Sequence, residues 1–170
     1  MKNSFFNKNF FTELEDRTFL DEEKNLEKIS IVMPSYNKAD FIERSILSVL
    51  NQNYPNIELI IIDGGSTDGT VEIIKKYEQH IAFWISEKDQ GQSDALNKGF
   101  KHCTGSIYGF LNSDDVYLPD AFKHASLVLE KNLDKKVVFG DWLSIDKKDA
   151  IIDYNHAFDF NLNHFKYEGF

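Results

Sequence analysis

The sequence predicts an α/β protein, a doubly wound and mostly parallel sheet with helices on both faces. Three observations lead there. From Ile29 onward, short β-branched runs alternate with amphipathic stretches of helical length. One of those runs, Ile57 to Ile62, is apolar at every position except Glu58, which is the pattern of a strand buried on both sides. Loops of small polar residues follow the runs, where sheets of this kind bind their ligands.

Residues 1–28 contain neither glycine nor proline and carry Phe5, Phe6, Phe10, Phe11, Phe19 and Leu20 among charged and amide side chains. They read either as an N-terminal arm, in part helical, that docks on the body or pairs with another chain, or as a frayed extension with scattered aromatics. The body is expected over residues 29–170. Its first strand runs from Ile29 to Met33, and Phe41, Ile42, Ile46, Val49 and Leu50 give the next helix an apolar stripe that ends at Tyr54-Pro55-Asn56. Ile57 to Ile62 is the second strand. Val71, Ile74 and Tyr77 mark a second helix capped from the loop before it. A third strand is expected at Ile81 to Ile85, a helix over Ser93 to Cys103 stopped near Thr104-Gly105, and a fourth strand at Ile107 to Leu111. Asp120 is expected to cap a helix with Phe122, Ala125, Val128 and Leu129. Strands at Val137 to Phe139 and Ile151-Ile152 are expected to flank a turn at Asp146 to Asp149.

Length and composition bound the function. A chain of 170 residues is one domain's worth. With 42% hydrophobic and 28% charged residues it has the composition of a folded protein. The 28 acidic residues outnumber the 19 basic ones, for a net charge of −9. That balance argues against nucleic acid as a partner and implies that a small anionic ligand needs a metal bridge. The single cysteine, Cys103, cannot form an internal disulfide, and no stretch is apolar enough for a signal peptide or a membrane span. The expectation is a cytoplasmic protein, free or peripheral at the cytoplasmic membrane face.

Four loops leave strand ends on one edge of the expected sheet: Pro34 to Asn37, Asp63 to Gly69, Ser86 to Gln92, and Asn112 to Asp115. Asp63 ends a buried strand and precedes two glycines, so its carboxylate suits an N–H or hydroxyl donor on a ligand. The alternative is that Asp63 and Asp68 cap the turn and the helix. Asp114 and Asp115 are adjacent carboxylates with no Lys or Arg close in sequence. Their repulsion is relieved by a hard cation such as Mg²⁺ or Mn²⁺ shared with substrate phosphates; alternatively both are solvated residues ahead of a helix. The five histidines have no metal-ligand spacing, and the sequence carries neither a P-loop nor a dinucleotide fingerprint nor a nucleophile elbow.

Four segments taken together, Ile29-Ser-Ile-Val-Met-Pro-Ser-Tyr-Asn37, Ile61-Ile-Asp-Gly-Gly-Ser-Thr-Asp-Gly-Thr70, Asp89-Gln-Gly-Gln-Ser-Asp-Ala-Leu-Asn-Lys-Gly99 and Leu111-Asn-Ser-Asp-Asp-Val-Tyr-Leu-Pro-Asp120, resemble the successive motifs of family 2 glycosyltransferases with the Rossmann-like GT-A fold. The resemblance covers residues 29–153. It implies metal-dependent, inverting transfer of a hexosyl or N-acetylhexosaminyl group from a nucleotide diphosphate sugar, UDP-linked more often than GDP-linked, to a saccharide or lipid-linked acceptor. By the same resemblance Ser35 and Tyr36 line the base pocket, Asp63 accepts from the base, Asp114 meets the ribose region, and Asp115 holds Mn²⁺ or Mg²⁺ on the diphosphate. Many relatives place a basic residue near the start of the third helix where this chain has Gln92, which implies a heavier dependence on the metal. The inverting members use a carboxylate base beyond the nucleotide-binding half, and the chain is expected to stop short of that acceptor side; no base is assigned, and Asp141 either borders the acceptor side or is a strand-end structural aspartate. The competing expectation is a non-catalytic nucleotide-sugar-binding or assembly module.

Overall fold

A computed structural model of the chain describes residues 11, 14, 26–147 and 150–157. Most of the segment expected as an N-terminal arm lies outside the described residues, as do residues 148 and 149 of the turn expected at Asp146 to Asp149. The chain divides into two compact units between Ser126 and Leu127.

The first unit is built of β1 (Ile29–Ser35), α1 (Ile42–Leu50), β2 (Ile57–Asp63), α2 (Thr70–Lys76), a 3-10 turn at Glu78–His80, β3 (Phe83–Ser86), α3 (Gln92–Phe100) and β4 (Ile107–Phe110), and α4 (Ala121–Lys131) begins within it. The four strands form one sheet in the order β3-β2-β1-β4. Every pairing is parallel, with Ile29 opposite Ile57 on one side of β1 and opposite Ile107 on the other. Winding proceeds outward from β1 to β3 and then returns past β1 to β4, so the direction reverses between β1 and β4. The crevice for a ligand opens at such a reversal, beyond the strand ends.

Strand residues alternate between two apolar layers, as a period of two requires. Ile29, Ile31 and Met33 of β1, with Leu59 and Ile61 of β2, meet Ile42, Ile46, Leu47 and Val49 of α1, Ile74 of α2 and Phe122 of α4. Val32, Ile60 and Ile62 point the other way, onto Ala95 of α3. Each fully buried aliphatic side chain contributes about 1.5–3 kcal/mol. α3 lies so close to the sheet that a Cβ on Gly99 would overlap Val32 Cγ1. Glycine there sets the height of α3 above β1.

Glu58, the one polar residue in the apolar run of β2, is satisfied where it stands. Its Oε1 accepts Ser30 Oγ and the Thr104 N–H, both at 2.5 Å, and its Oε2 accepts Thr104 Oγ1 at 2.7 Å. Lys28 Nζ stands 3.5 Å away. Burial alone would raise the Glu58 pKa, but the hydrogen bonds from Ser30 and Thr104 and the charge of Lys28 outweigh it and hold the group at about 2.

The observed elements correct the sequence reading in places. β3 starts at Phe83 because Ile81 is still held by the 3-10 turn, its N–H on Glu78 O. α3 ends at Phe100, three residues before Cys103. Asp120 sits in the left-handed region at φ 63 and accepts the His124 N–H with its backbone carbonyl, so it serves α4 through the main chain. In the second unit Val137 to Phe139 is not a strand, and Val137 and Phe139 are exposed. The hairpin partner of β6 (Ile151–Asn155) is instead β5 (Trp142–Ile145), antiparallel to it and closed by the Asp146 N–H on Ala150 O at 2.9 Å.

Candidate active site

The loops after β1 and β2 are stitched together. Asn37, at φ 51, receives the Thr67 N–H on Oδ1 at 3.0 Å and gives its own N–H to Ser66 Oγ at 2.8 Å. Asp68 accepts the Ala39 N–H at 2.9 Å and the Thr70 hydroxyl at 2.6 Å, and these bonds, the hydroxyl first, hold its pKa below the ordinary carboxylate value. Lys38 is anchored by its main chain, with its N–H on Thr70 Oγ1 at 2.9 Å.

Asp63 is fully buried at the end of β2. Its Oδ2 accepts the Gly65 and Ser66 N–H groups at 3.1 and 2.8 Å and Ser86 Oγ at 2.6 Å, while Oδ1 accepts Ser66 Oγ at 2.5 Å. Gly65 turns back at φ 84, and the Gly64 N–H reaches Ser35 O at 2.8 Å. The carboxylate thus organises the loop from behind. A Cβ on Gly64 would stand 2.9 Å from Asp89 Oδ2, the end of a side chain that can swing aside.

Beyond the strand ends lies a cleft of about 430 Å³. Pro34, Ser35, Tyr36 and Lys38 form one wall, Gly91, Gln92 and Ala95 at the start of α3 a second, and Asn112, Ser113 and Asp114 after β4 a third, with Asp89 at the rim. Ser35 is 5% exposed, and its Oγ has no hydrogen-bond partner among the described residues. Tyr36, by contrast, presents its ring at 61% exposure. The structure therefore brings Ser35, Tyr36, Gln92 and Asp114 to one cleft, and sets Asp63 behind its lining.

The acidic pair is less isolated than the sequence suggests. Lys38 Nζ donates to Asp114 Oδ2 at 2.6 Å, from a position 76 residues away in the chain. Asp115 Oδ2 accepts Asn112 Nδ2 at 3.0 Å, and Asn112 Oδ1 in turn accepts Gln92 Nε2 at 2.6 Å. Lys38 and Asn112 are the functional candidates that sequence reasoning passed over. Lys38 was hidden by chain distance, although it follows directly on the first loop. Asn112 stood within the fourth loop without a role.

No three His, Cys, Asp or Glu side chains among the described residues gather into a metal cage. What the loop after β4 offers is two adjacent carboxylates, one of them fixed by Asn112. Hard divalent ions accept one or two carboxylates when phosphate oxygens and water complete the shell. The donor set fits an ion shared with a phosphate ligand.

Asp141, in the second unit, is engaged within its own hairpin. Its Oδ1 accepts the Ala157 N–H at 2.8 Å, and Oδ2 takes the Tyr154 hydroxyl and lies 3.4 Å from His156 Nδ1. The Tyr154 hydrogen bond, then that of Ala157, holds its pKa below the usual value, the reverse of what a base needs.

Residues 30–169 match the family model for glycosyl transferase family 2. The chain belongs to that family. The family 2 sequence is 36% identical over 110 residues to the putative teichuronic acid biosynthesis glycosyltransferase TuaG of Bacillus subtilis, covering 61% of this chain and 43% of that protein. An uncharacterized glycosyltransferase of Rickettsia conorii is 35% identical over 130 residues, 74% of this chain and 21% of its own length. Among solved structures, S. aureus TarS 1–349 in complex with UDP-GlcNAc superposes with a TM-score of 0.58 at 25% identity, over 62% of this chain and 32% of that one. Mannosyltransferase PcManGT from Pyrobaculum calidifontis, in complex with GDP-Man and Mn²⁺, gives a TM-score of 0.57 at 25% identity, over 75% and 38%. The parallel sheet with helices on both faces is the GT-A arrangement, and the family 2 chain spans less than half the length of these relatives. No helix among the described residues is long and apolar enough to cross a membrane.

Proposed function

We propose that the cleft is the donor half-site of an inverting, metal-dependent glycosyltransferase that takes a hexose or N-acetylhexosamine from a nucleotide diphosphate sugar, a UDP-sugar in preference to a GDP-sugar, for a saccharide or lipid-linked acceptor. The observation that carries this reading is the Ser35 hydroxyl, buried in the cleft wall with no partner among the described residues and set beside an exposed aromatic ring. A buried polar atom left unpaired costs free energy, and a ligand's polar edge removes that cost. Tyr36 supplies a face for a base. Asp63, fully buried behind the lining, shapes the pocket by holding the Gly65-Ser66 loop and Ser86.

Toward β4 the site turns anionic. Asp114 faces the ribose side, Asp115 is the metal ligand, and Gln92 stands at the start of α3, whose N-terminal end favours phosphate. A divalent ion bound here neutralises charge on the departing diphosphate. That one relative is solved with UDP-GlcNAc and another with GDP-Man and Mn²⁺ supports the ligand class.

The test is calorimetric titration of the chain with UDP and with GDP, each with and without Mn²⁺. Metal-dependent binding of one nucleotide is the expected result. Binding of neither, in protein whose fold is verified by circular dichroism, overturns the reading.

A further inference from the structure

Lys38 is the one cationic side chain among the described residues that line the cleft, and it faces a site whose other charged members are Asp89 and Asp114, with Asp115 next in the chain. A nucleoside diphosphate adds further negative charge to that space. The Lys38 main chain is fixed through Thr70, but its side chain, a flexible four-carbon stem that ends in the ammonium, is 36% exposed. The side chain of its partner, Asp114, is 40% exposed. An ion pair this open to water is weak and exchanges readily for a better partner.

From these observations we propose that Lys38 is a partner-exchanging counter-ion: it holds Asp114 before the donor arrives and passes to the diphosphate when a divalent ion takes its place at the carboxylates. This rests on the donor-site reading above. Two consequences of opposite sign follow from the geometry. The ammonium competes with a divalent ion for Asp114, so it weakens binding of the metal alone. It also supplies a charged donor to phosphate oxygens, so it strengthens binding of the nucleotide with metal. It enters the cleft from the β1 wall, whereas the α3 wall offers the uncharged Gln92.

The experiment compares the chain with its Lys38→Met and Lys38→Arg variants, using Mn²⁺ alone followed by electron paramagnetic resonance, and UDP or GDP with saturating Mn²⁺ followed by calorimetry. Lys38→Met is expected to bind Mn²⁺ alone roughly 3-fold more tightly and the nucleotide about 10-fold more weakly. Lys38→Arg, which keeps the charge, is expected to stay within about 3-fold of the parent in both. Unchanged or weaker Mn²⁺ binding by Lys38→Met, or unchanged nucleotide binding, overturns the exchange. If the parent chain binds nucleotide and the variant does not differ, only this inference fails; if the parent binds neither UDP nor GDP, the donor-site reading fails and takes this one with it.

Discussion

Asn112 Nδ2 lies 3.0 Å from Asp115 Oδ2 and fixes the orientation of the carboxylate assigned to the metal. A residue that orients a metal ligand usually matters about 10- to 100-fold in metal affinity. Asn112→Ala is therefore expected to weaken Mn²⁺-dependent nucleotide binding by about 10-fold, and Asp115→Ala to abolish it, with circular dichroism unchanged in both. Equal affinities for Asn112→Ala and the parent would show that the amide only tidies the loop.

Tyr36 tests the base end of the cleft independently of the metal. Its ring is exposed, so removing it disturbs little of the core. Stacking of a base on an aromatic ring is worth about 1–3 kcal/mol. Tyr36→Ala should thus lose roughly 5- to 150-fold in UDP affinity and leave the affinity for Mn²⁺ alone as it was. An unaltered UDP isotherm would place the base elsewhere.

The height of α3 over the sheet is set at Gly99. A Cβ at that position collides with Val32, which lies in the centre of the sheet and cannot retreat cheaply. Overpacking of this kind costs about 1–3 kcal/mol. Gly99→Ala should lower the urea midpoint accordingly. Because α3 carries Gln92, nucleotide affinity should fall with it. A midpoint equal to the parent's would mean that the helix simply moves out.

Glu58 gives the fold a defined acid sensitivity. Against desolvation, the Ser30 and Thr104 hydrogen bonds and the charge of Lys28 hold its pKa at about 2 in the folded chain, below the ordinary carboxylate value of 4.5, so the folded state takes up its proton at lower pH than the unfolded state does. The stabilisation is complete above about pH 4.5 and is lost as the pH falls toward 2, and its size is on the order of 3 kcal/mol. Urea unfolding followed from pH 6 to pH 3 should show this loss, and Glu58→Gln should flatten the profile over that interval. A Glu58→Gln profile parallel to the parent's would assign the acid sensitivity to other carboxylates.

Much of the fold was legible because β1 and β2 are nearly pure apolar runs and because α1 and α3 carry one apolar stripe each. The loops that bear Ser35, Tyr36, Gln92 and Asp114 were identifiable once parallel winding placed all strand ends on one edge. The errors came where local pattern is weak. Val137 to Phe139 has strand propensity but no neighbour in the sheet, whereas Trp142 to Ile145 pairs with β6 across a turn that the pattern did place. The Lys38 contact with Asp114 was beyond reach, since parallel winding puts both loops on one edge but only the strand order makes β1 and β4 neighbours. Asp63 was legible as a strand-end carboxylate, but its four donors all come from its own loop or from Ser86, which only the folded register of β2 and β3 brings alongside.

The central position of β1 also dictates an order of events during synthesis. Ile29 emerges from the ribosome well before Ile57, and far earlier than Ile107, yet the buried β1 pairs with β2 over all seven of its residues and with β4 over Ile29 to Val32 in the finished sheet. Parallel pairings across such separations close slowly. A strand waiting with both edges open is prone to stick to other chains. Among the described strands β1 is thus made before either of its partners, and its edges stay open to other chains until residues 57–110 have followed it.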